Sequence, residues 1–378
     1  MTVSPLPVLW LCGAPGTGKS TVAWQVLLDL EGEGVRAGYV DIDQLGMVYP
    51  PPDGDPEREG LKVANLEAGI PEYAAAGARV LVVSGVVEPE QVRYFTGLTD
   101  RFEVTFCHLT VEESVLRQRL IDRGWSTAEG DEAVEEMRML RRAGPFAAGL
   151  DTTAGTPAEL AAECRRIIDP APAQAPHPLV HPSGPGGDIT VVCGPRAVGK
   201  SSVSWAMFRQ RAAAGQRTCY VDLDQISMLR GGGATDSDRR ALRNSTLASL
   251  WRTAETRGAT TLIANGMVAD DDDITGMRDA VDPADVRVIR LSAEPAAIRD
   301  RIRRRHAGFP ARLAGDDLEG ASPEHQDRVF QDALAQERRL SKMRFPTRVI
   351  DTTTMTPDEV VHRATTPDSS DGARPDLA

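Results

Sequence analysis

Two short strings carry the residue types and spacing of a site that binds phosphate. GAPGTGKS (Gly13 to Ser20) and GPRAVGKS (Gly194 to Ser201) both satisfy GxxxxGK[ST]. Each follows an apolar run, VLWLC or ITVVC, and precedes a stretch with helical spacing. In that setting the glycines let successive backbone N–H groups turn inward as an anion nest at the positive end of a helix. The expected ring around a nucleotide's phosphates is Gly13, Gly16, Thr17, Gly18, Lys19, Ser20 and Thr21 in the first half. In the second it is Gly194, Ala197, Val198, Gly199, Lys200, Ser201 and Ser202. Lys19 and Lys200 would reach the β- and γ-phosphates, and Ser20 and Ser201 would offer a hydroxyl to Mg2+. The loops are unequal: Arg196 stands where the first has Pro15, and Ala197 where it has Gly16. If that backbone position needs a positive φ, alanine carries a strain of about 1 kcal/mol there.

Acids come next. YVDIDQLGM (from Tyr39) and YVDLDQISM (from Tyr220) place Asp41 and Asp43, and Asp222 and Asp224, at the end of an apolar strand beside each loop. Ligands of open α/β sheets bind outside that edge. A carboxylate there accepts a proton from a substrate hydroxyl or holds a Mg2+-bound water, against the plainer role of capping the next helix. Asp43 and Asp224 are the better candidates for facing a substrate. The third strands end in Ser84-Gly85 and Asn265-Gly266, without an acid. This argues against motor-type ATP hydrolysis and for phosphoryl transfer using the strand-two acid. Arg117, Arg119 and Arg123 match Arg299, Arg301 and Arg305 on a later helix. Spacing of four puts Arg119 with Arg123, and Arg301 with Arg305, on one face, where guanidinium forks suit the spreading charge of a transferring phosphoryl group. The segment that follows reads as a lid, and Arg138 and Arg338 behind it are candidate second contacts. FPARLAGDDLEGASPEHQD makes the second lid the longer.

These residues recur because the chain repeats itself. VLWLCGAPGTGKSTVAWQV (from Val8) aligns with ITVVCGPRAVGKSSVSWAM (from Ile189) at an offset of 181, and the register holds through AGARVLVVSGVV against RGATTLIANGMV. It slips by one at the arginine helices and by eighteen more before LDTTAGTPAEL meets IDTTTMTPDEV. A period this long means two copies of a domain. The expected division is residues 1–168, a Pro/Gly-rich linker at 169–187, residues 188–364 and a polar, disordered tail at 365–378. Each half alternates apolar strands with helices, which means a parallel sheet covered on both faces. The helix LKVANLEAGIPEYAAAG is expected to break at Pro71. The segments after the second strand, YPPPDGD and LRGGGATD, differ and read as acceptor loops.

Composition closes off alternatives. The 378 residues carry a net charge of −12, which argues against nucleic acid as a main partner. No apolar run approaches the ~18 residues of a membrane span, and the N-terminal stretch lacks a secretory signal's pattern, so the chain is expected to be cytoplasmic. Five cysteines without CxxC spacing suit neither a disulfide framework nor a zinc site. Of 43 basic residues only Lys19, Lys62, Lys200 and Lys342 are lysines. Two of these sit in the loops, where a compact ammonium must fit among backbone amides.

GAPGTGKS, the VDIDQL strand end, the RQRLIDR helix and the DTT…TPAEL unit, each with a second copy, resemble the P-loop kinase superfamily, in the branch of adenylate, gluconate, shikimate and adenylylsulfate kinases. The resemblance implies an α/β fold of two tandem P-loop NTPase domains, each a roughly five-stranded parallel sheet with helices on both faces. It further implies ATP with Mg2+ as phosphoryl donor, an acceptor-site acid at Asp43 and Asp224, and a DTT segment near the adenine. The leading expectation is an ATP-dependent kinase acting on a small-molecule hydroxyl or phosphate acceptor, with one or both halves active and the first, cleaner loop more so. The alternatives are a nucleotide-binding regulatory protein without turnover and a polynucleotide 5′-kinase, which the net charge disfavours.

Overall fold

The computed structural model describes residues 5–96, 103–143, 146–177, 179, 186–307, 315–345 and 348–366. Most of the tail lies outside them. The first half runs β1 (Pro7–Cys12), α1 (Lys19–Gly32), β2 (Ala37–Asp41), a 3-10 turn (Ile42–Leu45), β3 (Val48–Tyr49), α2 (Glu59–Ala75), β4 (Val80–Ser84), α3 (Pro89–Thr96), β5 (Glu103–Thr110), α4 (Glu113–Asp122), α5 (Thr127–Ala143), β6 (Ala148–Asp151) and α6 (Pro157–Arg165). The second runs β7 (Asp188–Cys193), α7 (Lys200–Ala213), β8 (Thr218–Asp222), β9 (Met228–Arg230), α8 (Asp236–Thr256), β10 (Thr261–Asn265), α9 (Asp271–Val281), β11 (Asp285–Ser292), α10 (Pro295–His306), α11 (Pro323–Leu340), β12 (Arg348–Asp351) and α12 (Pro357–Thr365).

Two α/β sheets result, ordered β6-β5-β1-β4-β2-β9 and β12-β11-β7-β10-β8-β3. In each, five strands are parallel, as an alternation of apolar strands and helices requires, and the sixth is an antiparallel edge. The five parallel strands are those expected, and the antiparallel edge adds a sixth. The compact units also depart from the repeat. One comprises Met1–Met47, Pro51–Pro182 and Asp224–Arg257, the other Val48–Pro50, Ser183–Leu223 and Gly258–Ala378. The first unit thus takes β9 and α8 from the second half, and the second takes β3 from the first. The segments read as acceptor loops begin with these edge strands.

Glycine makes the first edge feasible. Gly231 and Gly232 have φ of +71° and +52°, and a Cβ on them would stand 2.3 Å from the Val35 carbonyl oxygen and 2.6 Å from Arg36 Cβ. The chain leaving β9 therefore lies against the backbone just before β2, too close for any side chain. Arg36 then pairs with Asp238 at 3.3 Å, and Arg230 with Glu31 at 2.7 Å.

Each core fills in the expected pattern. Val22, Val26, Leu27 and Leu30 line the buried face of α1. Trp10, fully buried on the central strand, meets Phe95 and Phe106 at ring separations of 5.7 and 5.3 Å. Pro71 does not break α2, which continues to Ala75. Proline removes one hydrogen bond from a helix interior, but Leu61, Leu66, Ile70 and Tyr73 bury the face that holds the helix in place. Among the described residues no helix is long and apolar enough to cross a membrane.

Candidate active site

Each phosphate loop joins a central strand to the helix it feeds. Gly18 and Gly199, in left-handed conformation, cap the N-termini of α1 and α7. Ser20, Thr21, Ser201 and Ser202 occupy the exposed first turns. Thr17 is buried, and its hydroxyl donates to the Ala14 carbonyl at 2.9 Å. Lys19 Nζ donates to the same carbonyl at 2.9 Å, while Lys200 Nζ donates to those of Gly194 and Pro195, both at 3.1 Å. Burial lowers the Lys19 pKa, with the Glu136, Asp43 and Asp41 carboxylates working against that. The position expected to need a positive φ does: Gly16 has φ +84° and Ala197 has φ 61°.

The strand-two acids divide their labour. Asp41 caps the 3-10 turn, accepting from the Asp43 amide at 3.0 Å, and Ser84 Oγ donates to its other oxygen at 3.3 Å. Burial, then the neighbouring Asp43 charge, raises its pKa to about 6. Asp43 is largely exposed, with the Lys62 ammonium 3.2 Å away; Lys62 also holds Glu59 at 2.8 Å. In the second unit Asn265 Nδ2 donates to Asp222 at 2.8 Å, and Asn265 Oδ1 accepts from Tyr220 Oη at 2.8 Å and Ser204 Oγ at 2.7 Å. The polar residues that end the third strands therefore orient the acid on the neighbouring strand. Asp224 begins the segment that belongs to the first unit.

Of the repeated arginines, one in each unit meets its loop. Arg119 donates to the Gly16 carbonyl at 3.4 Å and to Thr152 Oγ1 and O at 3.1 and 2.8 Å. Arg301 does the same to Val198 O at 2.8 Å and Thr352 Oγ1 at 3.0 Å. Each guanidinium ties one loop carbonyl to the threonine that follows the last strand. Thr152 and Thr352 complete the clamp, donating to Thr17 O at 2.9 Å and Val198 O at 3.2 Å. The conserved order DTT within the repeat signalled them, though not this role. Arg123 is an exposed C-cap, and Arg305 pairs with Asp316 at 3.2 Å. Arg138 closes on Glu113 at 2.7 Å, and Arg338 is exposed. None of these four is brought to a loop carbonyl as Arg119 and Arg301 are. The acidic run Asp270 to Asp273 works as a helix cap, with Asp270 accepting from the Asp273 amide at 3.0 Å.

Residues that motif reading missed sit on the helix behind each loop. Ala133, Val134 and Met137 of α5 pack on Ala14 together with Leu116 and Leu120. In the second unit Gln336 of α11 accepts from the Arg196 amide at 2.8 Å, and the Arg196 guanidinium pairs with Asp317, which also meets His325 Nε2 at 2.8 Å. Lys62 was visible only as one of four lysines.

A family model described as an AAA domain matches residues 8–144 and again 189–331. No curated protein matches the sequence. Similar solved structures include the Deinococcus radiodurans tunicamycin resistance protein, 21% identical over 44% of this chain and 99% of that one, with a TM-score of 0.34. A gluconokinase from Sinorhizobium meliloti 1021 is 19% identical over 44% and 93%, with a TM-score of 0.32. Shikimate kinase from Acinetobacter baumannii in complex with shikimate is 17% identical over 43% and 93%, with a TM-score of 0.30.

Proposed function

The chain belongs to the AAA domain family, and from that premise we propose that it is an ATP-dependent phosphotransferase acting on the hydroxyl or phosphate of a small molecule. The observation that carries this reading is the pairing of a complete phosphate loop with an exposed acid from the second strand, Asp43, in place of an acid ending the third. In the first unit the loop amides and Lys19 bind the phosphates of ATP. Lys62, 3.2 Å from Asp43, fixes the carboxylate that takes the acceptor hydroxyl's proton as the bond to ADP breaks and the new phosphate ester bond forms. Arg119 and Thr152 keep the loop's carbonyls turned away from the phosphates. Ser20 with Asp41, and Ser201 with Asp222, are an oxygen donor set that suits a hard divalent cation, and these residues would hold the Mg2+ that neutralises the phosphates. The test is ADP release across a panel of nucleosides, nucleotides, sugars and other metabolites. Stimulation by an acceptor, abolished by Lys19→Ala, supports the reading; no stimulation by any member ends it.

A second reading is favoured for the second unit alone. Its loop bears the positive-φ Ala197 and an arginine already paired with Asp317, which suits nucleotide binding without turnover. Nucleotide bound at that loop in a Lys19→Ala chain that releases no ADP is the expected signature.

A further inference from the structure

The segment that lengthens the second lid brings two neighbouring acids to two arginines of that unit. Asp316 Oδ2 lies 3.2 Å from the Arg305 guanidinium, and Asp316 Oδ1 accepts the Leu318 amide at 3.2 Å. Leu318 is buried in a cluster with Ile298, Ile302, Phe330 and Ala333, against which Ala197 of the phosphate loop also packs. Asp317, between these two anchors, turns to the loop itself. Its Oδ1 pairs with the Arg196 guanidinium, and its Oδ2 meets His325 Nε2 at 2.8 Å. Arg328 can only donate, so at 3.3 Å from His325 Nδ1 it makes that nitrogen the acceptor and leaves the ring proton on Nε2, toward Asp317.

Arg196 stands where a cation matters. Lys200 Nζ, the ammonium that meets the β- and γ-phosphates in a loop of this kind, rests 3.1 Å from the carbonyl of Pro195, the residue before Arg196. The Arg196 backbone N–H is spent on Gln336 Oε1 at 2.8 Å, so this position offers a phosphate no amide, only the guanidinium. The first loop has Pro15 here, with neither N–H nor charge, and its lid lacks the extension that carries the two acids. Those acids are held unequally. The Asp316 side chain is 10% exposed and engaged through both oxygens, whereas that of Asp317 is 45% exposed and its partner Arg196 31%. An ion pair so open to water contributes little to stability, so Arg196 can exchange one anion for another at little cost. A phosphate, with more charge and more oxygens than a carboxylate, is the stronger competitor for a guanidinium fork.

We propose that Arg196 is the residue by which the second loop tells a nucleoside triphosphate from a diphosphate, with Asp317 occupying its guanidinium until a terminal phosphate displaces it. This rests on nucleotide binding at the second loop and goes beyond it in naming the nucleotide state that is held. A diphosphate fills the amide nest and meets Lys200 but leaves the Arg196–Asp317 pair closed. A triphosphate opens that pair, and Asp317 keeps His325 as its partner. Asp316 and Leu318 hold the segment in place meanwhile, so the exchange is local and reversible.

The experiment uses the full chain with Lys19→Ala, so that the second loop is the one titrated. ADP and the β,γ-imido analogue of ATP, each with Mg2+, are compared by calorimetry, and amide hydrogen exchange at residues 194–202 reports binding at that loop. The analogue is expected to bind more tightly than ADP. Arg196→Ala should cut that preference about tenfold while affinity for ADP holds, as the loss of one charge-assisted contact requires. Arg196→Lys should recover part of it. Asp317→Asn, which removes the competing charge, should raise affinity for the analogue several-fold and leave ADP unchanged. Equal losses for both nucleotides in Arg196→Ala, or no gain for the analogue in Asp317→Asn, would overturn the assignment. Protection of residues 194–202 by both nucleotides without any preference would remove the discrimination and leave nucleotide binding standing. Protection by neither would remove nucleotide binding at the second loop, and this proposal with it.

Discussion

The two phosphate loops share a motif, a clamp and a neighbouring acid, yet their immediate partners differ. The first carries Pro15 and Gly16, and the second Arg196 and Ala197. The first loop has a proline with no N–H to give, whereas in the second the Arg196 amide is received by Gln336 and the Arg196 guanidinium pairs with Asp317. A difference of the same kind lies at the end of the strand that flanks each loop. His108 is buried and stacked on Phe146 at 4.7 Å, while Arg290 at the matching place pairs with Glu337 at 2.8 Å. A repeated motif therefore fixes the loop's backbone, while the helix packed behind it differs between the two units.

The largest test of this contrast is the pair Lys19→Ala and Lys200→Ala. Each should weaken ATP at its own loop by a factor of about 100 or more, leaving one of two sites in an equilibrium titration. Acceptor-stimulated ADP release should vanish with the first and largely survive the second. Equal loss in both variants would erase the distinction. Next in size is an acid effect confined to the first unit. Burial, with Arg141 nearby, lowers the His108 pKa from 6.5 to about 4. A histidine kept neutral by the fold contributes its stability above the unfolded value and loses it as pH falls towards the folded one. The window is thus pH 6.5 down to 4, and the loss is about 3 kcal/mol. Denaturant melts at pH 7 and pH 4 should show that difference in the first unit's transition and a smaller one in His108→Gln. Identical differences would place the acid sensitivity elsewhere.

Backbone effects are smaller. In Gly16→Ala the new methyl would stand 2.7 Å from Leu116 Cδ1 at a φ of +84°. Left-handed strain and overpacking together should cost about 2 kcal/mol in thermal stability. A neutral result would mean that Leu116 and Leu120 give way as the corresponding side chains of the second unit do around Ala197. The reverse change, Ala197→Gly, relieves about 1 kcal/mol of strain but restores freedom to the unfolded chain, so a net gain of about 0.5 kcal/mol is expected. A loss instead would show that the Ala197 methyl, packed in the cluster with Phe330 and Ala333, outweighs its backbone strain.

The loops, their glycine conformations and the strand-two acids were legible because each is encoded within a few consecutive residues. Asp41 and Asp43 illustrate the limit of that legibility: spacing placed both at the strand end, but only the fold shows that Asp41 caps the turn while Asp43 reaches Lys62. Arg119 and Arg301 were found by repeat spacing, but their Thr152 and Thr352 partners were not, because those arrive from a distant strand. Pro71 misled for a related reason: tertiary burial of one helix face outweighed a local rule.

The antiparallel edges have a consequence for inheritance. A cut in the linker would hand each fragment the strand that completes the other fragment's sheet: residues 228–230 would be parted from β2, and 48–49 from β8. Neither fragment would be a whole domain, and each would expose a sheet edge that pairs readily with another chain. The duplication therefore cannot be undone by separating the halves at the place where the sequence divides.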